Sequence, residues 1–266
     1  MVWEATAAFT SRFDFSIVEE TPDYLVVNKP APLQIHPSKP SDAGLTLWDG
    51  LRALLSFELE NGGQVSLINR LDRETSGLVL VAKNVATARL FGKAMMRRQV
   101  KKSYLAIVHG WPEWEQISVD EPIIRQGEVK ETKVYVRQCV HETGAGCLSE
   151  FRVLRRFVKQ REQQATPFAL IEATPHTGRM HQLRVHLSHV GFPVVGDKLY
   201  GVDETCYREF MDTGWTPSMQ SRLLLPRQAL HSHKMELETT DGHRAWTAPL
   251  TEDLAAFVGD AILNPP

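Results

Sequence analysis

An aspartate stands between two arginines in residues 69–77, which read Asn-Arg-Leu-Asp-Arg-Glu-Thr-Ser-Gly. The carboxylate is Asp72, and its neighbours are Arg70 and Arg73. Because nearby positive charge lowers the pKa of a carboxyl group, Asp72 is expected to be ionised at neutral pH. An ionised carboxylate can act as a nucleophile. The alternative is a structural aspartate that pairs with an arginine and caps a turn.

A second segment whose residue types could take part in binding or catalysis covers residues 174–186, and it combines glycine, arginine and histidine. If a helix begins after Gly178, the N–H groups of its first turn and Arg179 face an anion. Arg184 then lies on the same helix, about a turn and a half further on. The predicted chemistry is binding of a phosphate or a carboxylate.

Two clusters of basic residues could follow the phosphates of a nucleic acid, although the formal net charge of -2 argues against non-specific binding. The alternative for each cluster is a solvated face of a helix or a strand. The first cluster comprises Lys93, Arg97, Arg98, Lys101 and Lys102, and the second comprises Arg152, Arg155, Arg156, Lys159 and Arg161.

The sequence predicts neither a nucleotide cofactor nor a metal. No GxxxxGK[ST] or GxGxxG pattern follows a predicted strand. Histidines crowd residues 176–189, which leaves a metal-dependent hydrolase as an alternative. However, His181 and His186 are five positions apart and do not share a helical face as the two histidines of HExxH do.

Composition indicates an ordinary globular protein of 266 residues with 42% hydrophobic content. Its three cysteines form no CxxC pair, which favours a reducing, cytoplasmic setting. No signal peptide or membrane span is predicted. We expect a monomer in which residues 1–12 are an N-terminal extension and residues 13–266 form a single domain.

The elements that position Asp72 are two predicted strands, with the loop 70–76 between them. Such a scaffold presents a loop side chain rigidly. Predicted strands cover residues 13–18, 24–28, 65–69, 77–82, 103–108 and 229–237, and residues 117–175 are expected to form a mostly antiparallel sheet. Predicted helices cover residues 46–58 and 179–189, and two more begin after Asn84 and Thr251.

At its two chemical segments the chain resembles the RluA-type pseudouridine synthase family of the RsuA/RluA superfamily. Residues 69–77 are similar to the family motif His-Arg-Leu-Asp-x-x-Thr-Ser-Gly, and residues 178–186 to Gly-Arg-x-His-Gln-Ile-Arg-Val-His. Shorter similarities occur at residues 24–37, 102–106, 195–201 and 229–231, so the resemblance covers about residues 13–250. Two departures affect the expected loop shape and substrate choice: Asn69 replaces the usual histidine, and Pro32 replaces the usual glycine.

The resemblance implies an α+β pseudouridine synthase fold, with a mixed, mostly antiparallel central sheet, flanking helices and a central RNA-binding cleft. It also implies a stand-alone form without an S4 domain. The implied activity is isomerisation of specific uridines to pseudouridine in structured ribosomal or transfer RNA, with base flipping and without a cofactor. A second possibility is a non-catalytic RNA-binding module of the same fold.

The resemblance also assigns roles to individual residues. Asp72 is the implied nucleophile, acting either at the sugar anomeric carbon or at uracil C6. Tyr104 is expected to stack on the target base and to serve as general base, and Arg184 to pair with the catalytic aspartate. The implied substrate-binding residues are Arg70, which fills the vacated stack, Leu183 on the other face of the uracil, Arg179, Lys101 and Lys102 at flanking phosphates, and Lys29 with His36 at the pocket.

Overall fold

The computed structural model of the chain describes residues 15–161, 164–201, 203, 205–239 and 242–259. The chain divides into two compact units, Met1–Lys102 with Ser232–Pro249 and Ser103–His231 with Leu250–Pro266. The predicted extension at residues 1–12 lies outside the described residues. A single domain over residues 13–266 stays a prediction.

Strands and helices follow one another along the described chain. The strands are β1 (Ser16–Glu20), β2 (Tyr24–Lys29), β3 (Ser66–Leu67), β4 (Ser76–Ala82), β5 (Val100–His109), β6 (Gln116–Asp120), β7 (Ile123–Arg125), β8 (Gln138–Val140), β9 (Leu148–Arg161), β10 (Gln164–Pro175), β11 (Leu230–Thr239) and β12 (Gly242–Thr247). The helices are α1 (Leu47–Leu54), α2 (Ser56–Glu60), α3 (Val85–Met96), α4 (Gln182–His189), α5 (Thr205–Thr213), α6 (Pro217–Leu223) and α7 (Glu252–Val258).

The first unit contains a sheet around β4, whose residues are all buried. Strand β2 pairs antiparallel with β4 along its whole length, and β1 pairs antiparallel with β2. Strand β11 is the other neighbour of β4, and β12 pairs antiparallel with β11. Strand β3 pairs antiparallel with the far end of β4, at Val81 and Ala82, so β3 and β4 flank the loop that contains Asp72.

Helix α3 packs on this sheet because its apolar positions recur at helical spacing. Thr87, Phe91 and Ala94 are its buried residues, and Phe91 and Ala94 contact a core that includes Leu80. The Asn84 side chain caps the helix by accepting a hydrogen bond from Thr87 N at 2.9 Å. Full burial of a side chain such as Phe91 stabilises the fold by roughly 1.5–3 kcal/mol.

The second unit contains an antiparallel sheet in which β10 lies between β5 and β9. Strand β6 pairs with the other edge of β9, and β7 and β8 form a separate two-stranded sheet. Helix α7 packs on β9 and β10 through the rings of Phe157, Phe168 and Phe257. In this unit, the pairings of β5 with β10, β9 with β10, β6 with β9 and β7 with β8 are all antiparallel.

Most of the predicted elements are present, with shifted ends. The strand β4 and the helices that follow Asn84 and Thr251 are confirmed. The predicted helix over residues 46–58 is divided at Leu55 into α1 and α2. Helices α5 and α6 and strand β12 had no counterpart among the predictions. Within the described residues, no helix is long and apolar enough to cross a membrane.

Candidate functional site

The loop that contains Asp72 is anchored at its start by the side chain of Asn69. Asn69 Nδ2 donates to Leu78 O at 3.1 Å, and its Oδ1 accepts from Leu80 N at 2.8 Å. The buried amide therefore makes two hydrogen bonds to the backbone of β4. This explains how the loop keeps a fixed start with asparagine at a position where the family motif has histidine.

A buried lysine holds the middle of the same loop. The Lys29 side chain is 0% exposed, and its Nζ donates to the carbonyls of Pro30 (2.8 Å), Leu33 (2.8 Å) and Arg73 (3.2 Å). A buried ammonium group is tolerated only when its donors have partners. These bonds tie Lys29 to the residue after Asp72, whereas contact between Lys29 and substrate stays a prediction.

Asp72 itself opens a tight turn. Its carbonyl accepts a hydrogen bond from Thr75 N at 3.1 Å, and its side chain is half-buried. The turn leads into Gly77, which has a φ of +110° and lies so close to β11 that a Cβ would stand 2.2 Å from Ser232 O. Only glycine fits that position. The predicted nucleophile thus lies on a loop with a fixed entry, middle and exit.

Arg70, the first residue of this loop, is exposed, and its charge affects the pKa of His36. Partial burial and the positive charge of Arg70 lower the pKa of the His36 imidazole. His36 therefore favours its neutral form at neutral pH. The structure places the two residues in the same unit as Asp72, but their contacts with RNA stay predictions.

Four members of the first basic cluster, all except Lys102, are exposed at the end of α3 and the start of β5. The side chains of Lys93, Arg97 and Arg98 have no hydrogen-bond or ion-pair partner among the described residues. Lys101 is exposed and its charge helps to lower the pKa of Glu236, whereas burial lowers the pKa of Lys102. The four exposed positive charges are available to a polyanion.

In the second unit, the helix that carries Arg184 begins later than predicted. Helix α4 starts at Gln182, and His181 before it has a left-handed φ of 58°. Arg179 therefore lies outside the helix, and its N–H donates to Gln182 Oε1 at 3.0 Å. The prediction of a helix that begins after Gly178 was wrong, because the Gln182 side chain closes the turn that the N–H groups were expected to leave open to an anion.

Arg184 forms a bidentate ion pair with Asp197. Arg184 Nε donates to Asp197 Oδ2 at 2.6 Å, and Nη2 donates to Oδ1 at 2.8 Å. Asp197 is 0% exposed and Arg184 is also buried. Burial raises the pKa of the Asp197 carboxyl, but the Arg184 charge and the hydrogen bonds outweigh burial, so the net pKa lies below its usual range.

The turn that supplies Asp197 is shaped by its own backbone. Leu199 N and Tyr200 N donate to Asp197 Oδ1 at 2.9 and 3.1 Å. A Cβ on Gly196 would stand 1.9 Å from Arg227 O, and one on Gly201 would stand 2.2 Å from Asp197 O. The segment 195–201 therefore holds the carboxylate in one position against Arg184.

Tyr200 links this ion pair to two further segments. The Arg184 guanidinium carbon lies 5.0 Å from the centre of the Tyr200 ring. The Tyr200 hydroxyl bonds His181 Nδ1 at 2.7 Å and accepts from Gln138 N at 2.9 Å. Asp197 and Tyr200 had no predicted role, although residues 195–201 had been matched to the family.

The other predicted residues of the second unit are also placed. Tyr104 is buried on β5, where it pairs with Ala173 of β10. Leu183 is buried beside Arg184 on α4, whereas the Arg179 side chain is exposed. The structure thus fixes Tyr104, Leu183 and Arg184 within one unit, and Asp72, Arg70, Lys29, Lys101 and Lys102 within the other.

Most side chains of the second basic cluster bind carboxylate or carbonyl oxygens of their own unit. Arg152 binds Glu172, with a shortest distance of 2.6 Å. Arg156 donates to the carbonyls of Pro112 and Trp114, Lys159 donates to Phe257 O at 2.7 Å, and Arg161 donates to Ser221 O. For four of its five members these contacts favour the structural alternative.

The histidines of residues 176–189 also have structural partners. His186 is buried between Ser149 Oγ (3.0 Å) and Glu121 O (2.9 Å), and His176 lies 3.1 Å from a carboxylate oxygen of Glu150. In the part of the chain that the structure describes, no group of three or more His, Cys, Asp or Glu side chains is arranged to hold a metal ion.

Proteins of known family are similar to this chain over most of its length. A family model described as RNA pseudouridylate synthase matches residues 23–189. The ribosomal large subunit pseudouridine synthase D of Nitrosomonas europaea is 34% identical over 259 residues, which are 94% of this chain and 66% of that protein. The chain belongs to the RNA pseudouridylate synthase family.

Two further members of the RNA pseudouridylate synthase family are similar to this chain over most of its length. The synthase D of Pseudomonas aeruginosa is 34% identical, over 90% of this chain and 69% of its own length. An uncharacterized RNA pseudouridine synthase of Bacillus subtilis, YlyB, is 30% identical, over 96% of this chain and 75% of its own length. The chain thus spans 66% to 75% of these three relatives.

Solved structures from the RNA pseudouridylate synthase family share the fold. Human RNA pseudouridylate synthase domain containing 1 matches with a TM-score of 0.68 and 27% identity, over 92% of this chain and 88% of that chain. Human RNA pseudouridylate synthase domain containing 4 matches with the same TM-score and 23% identity, which shows the fold alone. The predicted α+β fold and the predicted enzyme class, an RNA pseudouridine synthase and hence an isomerase, are confirmed. The roles of individual residues stay predictions.

Proposed function

We propose that this chain isomerises specific uridines to pseudouridine in ribosomal RNA, with Asp72 as the nucleophile. Support for a ribosomal substrate comes from the names of the relatives in Nitrosomonas and Pseudomonas. The observation that carries the role of Asp72 is its position on a loop held by Asn69 and Lys29, because nucleophilic catalysis requires a carboxylate in a fixed position.

The chemistry needs neither oxidant nor reductant, because product and substrate are isomers. Asp72 attacks either the sugar anomeric carbon or uracil C6, and the N-glycosidic bond breaks. The uracil turns, its C5 forms the new bond to the sugar carbon, and the bond to Asp72 breaks, which returns the free carboxylate. The C5 proton then leaves and uracil N1 takes up a proton, so that product and substrate have the same composition. Tyr104 is proposed as the base that accepts the C5 proton. The exposed Arg70 is proposed to fill the stack from which the uridine is flipped.

Arg184 is proposed to hold the catalytic carboxylate ionised. The two bonds to Asp197 fix the orientation of the Arg184 guanidinium. A guanidinium fixed in this way loses little side-chain entropy when it makes a further ion pair. Leu183, the next residue on α4, is proposed to pack on the uracil.

The proposal includes a cytoplasmic monomer that works without a metal or a nucleotide cofactor. Support for a reducing compartment comes from the cysteines, since Cys139, Cys147 and Cys206 are free thiols.

The proposed reaction is tested with a large-subunit ribosomal RNA transcript that carries tritium at uridine C5. We expect protein treated with EDTA to release tritium at the same rate as untreated protein. If neither the treated nor the untreated protein releases tritium, the result would contradict the proposed function and favour the non-catalytic RNA-binding alternative. Release that is abolished by EDTA and restored by metal would favour the metal-dependent alternative.

Exposed cations of the first basic cluster are proposed to contact phosphates that flank the target. Replacing Lys93, Arg97 and Arg98 by alanine is expected to weaken RNA binding and to reduce the slope of log K against log salt by about 2, since each contact contributes roughly 0.7 on a single strand. The matched control replaces Lys39, Arg52 and Arg208, three exposed cations outside both basic clusters. Binding is measured by fluorescence anisotropy. Equal slopes of log K against log salt for both triple variants would show that the cluster does not contact RNA phosphates.

A further inference from the structure

The loop between β7 and β8 presents an aromatic ring to solvent. Tyr135 in this loop is 74% exposed. A single exposed apolar side chain is common and needs no explanation by itself. Tyr135 is distinguished by the fixed position of its ring, because Arg125 Nη1 donates to the Tyr135 hydroxyl at 2.7 Å and the guanidinium carbon lies 4.5 Å from the ring centre.

The same loop is anchored beside Arg184. Val134, which precedes Tyr135, is buried in a cluster with Val185 and Leu199, the residues next to Arg184 and close to Asp197. At the end of the loop, Gln138 N donates to the Tyr200 hydroxyl at 2.9 Å, and the Arg137 guanidinium carbon lies 5.6 Å from the centre of the Tyr200 ring. Tyr135 is therefore carried by a segment that packs against the Arg184 helix.

The charge of the loop favours an anionic partner. Residues 125–137 contain four basic and two acidic side chains. Lys130 and Lys133 are exposed and have no hydrogen-bond or ion-pair partner within the described ranges. An exposed ring with exposed lysines in the same loop suits a single-stranded nucleic acid, whose bases stack on aromatic rings while its phosphates bind cations.

We propose that Tyr135, held by Arg125, is a stacking platform for an unpaired base of the RNA substrate, with Lys130 and Lys133 at the adjacent phosphates. The inference rests on the proposed function, because it names a further contact of the same RNA. A ring that is already held in place loses little freedom when a base stacks on it, so stacking adds directly to affinity.

Binding of two labelled 12-nucleotide strands tests the platform. One strand is oligoadenylate, and the other is an abasic ribose-phosphate strand with the same charge. Tyr135→Ala is expected to weaken oligoadenylate binding about tenfold and to leave abasic binding unchanged, because only the first strand can stack. Tyr135→Leu, which keeps apolar bulk without a ring, is expected to behave in the same way. Tyr135→Phe is expected to remain within about threefold of the unaltered protein.

Two controls separate stacking from other effects. Trp111→Ala removes another exposed aromatic of the same unit and is expected to leave both affinities unchanged. Thermal unfolding confirms that each variant is folded. Oligoadenylate binding that is unaffected by Tyr135→Ala and Tyr135→Leu, or an equal loss for both strands, would overturn the platform.

Uridine conversion by the unaltered protein is measured separately in the ribosomal RNA transcript. Absence of product would contradict the proposed function, and the binding comparison would still decide the role of Tyr135. If pseudouridine forms but Tyr135→Ala changes binding of the two strands equally, the result would contradict the platform alone.

Discussion

Replacing Asp72 by asparagine is expected to abolish the formation of pseudouridine. The amide has nearly the shape of the carboxylate but lacks its charge and nucleophilicity, so turnover should fall at least about 10³-fold. The turn itself should survive, since it depends on the carbonyl of Asp72 and on Thr75 N. RNA affinity is therefore expected to change little, and thermal unfolding checks that the variant is folded. The measurement is single-turnover release of tritium from uridine C5.

The matched control for this variant is Glu74→Gln, which removes a carboxylate two positions away in the same turn. We expect its turnover to stay within about threefold of the unaltered protein, because Glu74 has no role in the proposed chemistry. If Asp72→Asn retained conversion, Asp72 would not be the nucleophile. If both variants lost activity equally, the total charge of the loop rather than one nucleophile would account for the effect.

Replacing Asp197 by asparagine is expected to impair both stability and turnover. The change leaves the buried guanidinium of Arg184 without its bidentate carboxylate partner. Breaking a buried ion pair costs about 3–5 kcal/mol in unfolding free energy. Displacement of Arg184 by even about 1 Å can cost about 100-fold in turnover. Chemical denaturation gives the first quantity. Single-turnover kinetics at a temperature where the variant is folded give the second.

The control for Asp197 is a similar pair in the same unit. Asp253 binds Arg227 through the same two guanidinium nitrogens, at 2.7 and 2.9 Å, but its side chain is 42% exposed. Asp253→Asn is expected to cost less than Asp197→Asn and to leave turnover unchanged, because solvent reaches the Asp253 carboxylate and the buried Arg227 keeps its bond to Thr251 Oγ1 at 2.7 Å. A kcat that fell equally in both variants would mean that Asp197 supports only the fold.

Acid provides a second way to test the Asp197 pair. The pKa of Asp197 is lower in the folded protein than in the unfolded chain, where an aspartate titrates near about 3.9. Its contribution to stability is therefore present above about pH 4 and is lost as the pH falls through the folded-state pKa. The difference in unfolding free energy between the unaltered protein and Asp197→Asn should narrow in the same range. A difference that is constant into strong acid would contradict this linkage.

Local signals in the sequence were sufficient for the elements around Asp72. Asn84 predicts the start of α3 because a capping side chain bonds only three residues ahead. The run of residues 77–82 predicts β4 because every position in it is apolar. Helix α4 begins later than predicted because His181 takes a left-handed conformation and Gln182 bonds the preceding turn, which a periodic pattern does not reveal.

Pairings between distant segments could not be predicted from composition. Asp197 lies thirteen positions after Arg184, and their contact depends on the turn that Gly196 and Gly201 permit. The second basic cluster could also be read as a phosphate-binding strand until its carbonyl and carboxylate partners were placed. The hydrogen bond from Lys29 Nζ to Arg73 O, 44 positions away, was likewise not predicted.

The anchor at Asn69 gives the Asp72 loop a tolerance to acid. An amide gains no proton in mildly acidic solution, whereas histidine, the residue of the family motif at this position, becomes charged near pH 6.5. The two hydrogen bonds from Asn69 to β4 therefore persist unchanged when the solution is acidified. A loss of turnover between neutral and mildly acidic conditions would consequently not report on a loosened Asn69 anchor.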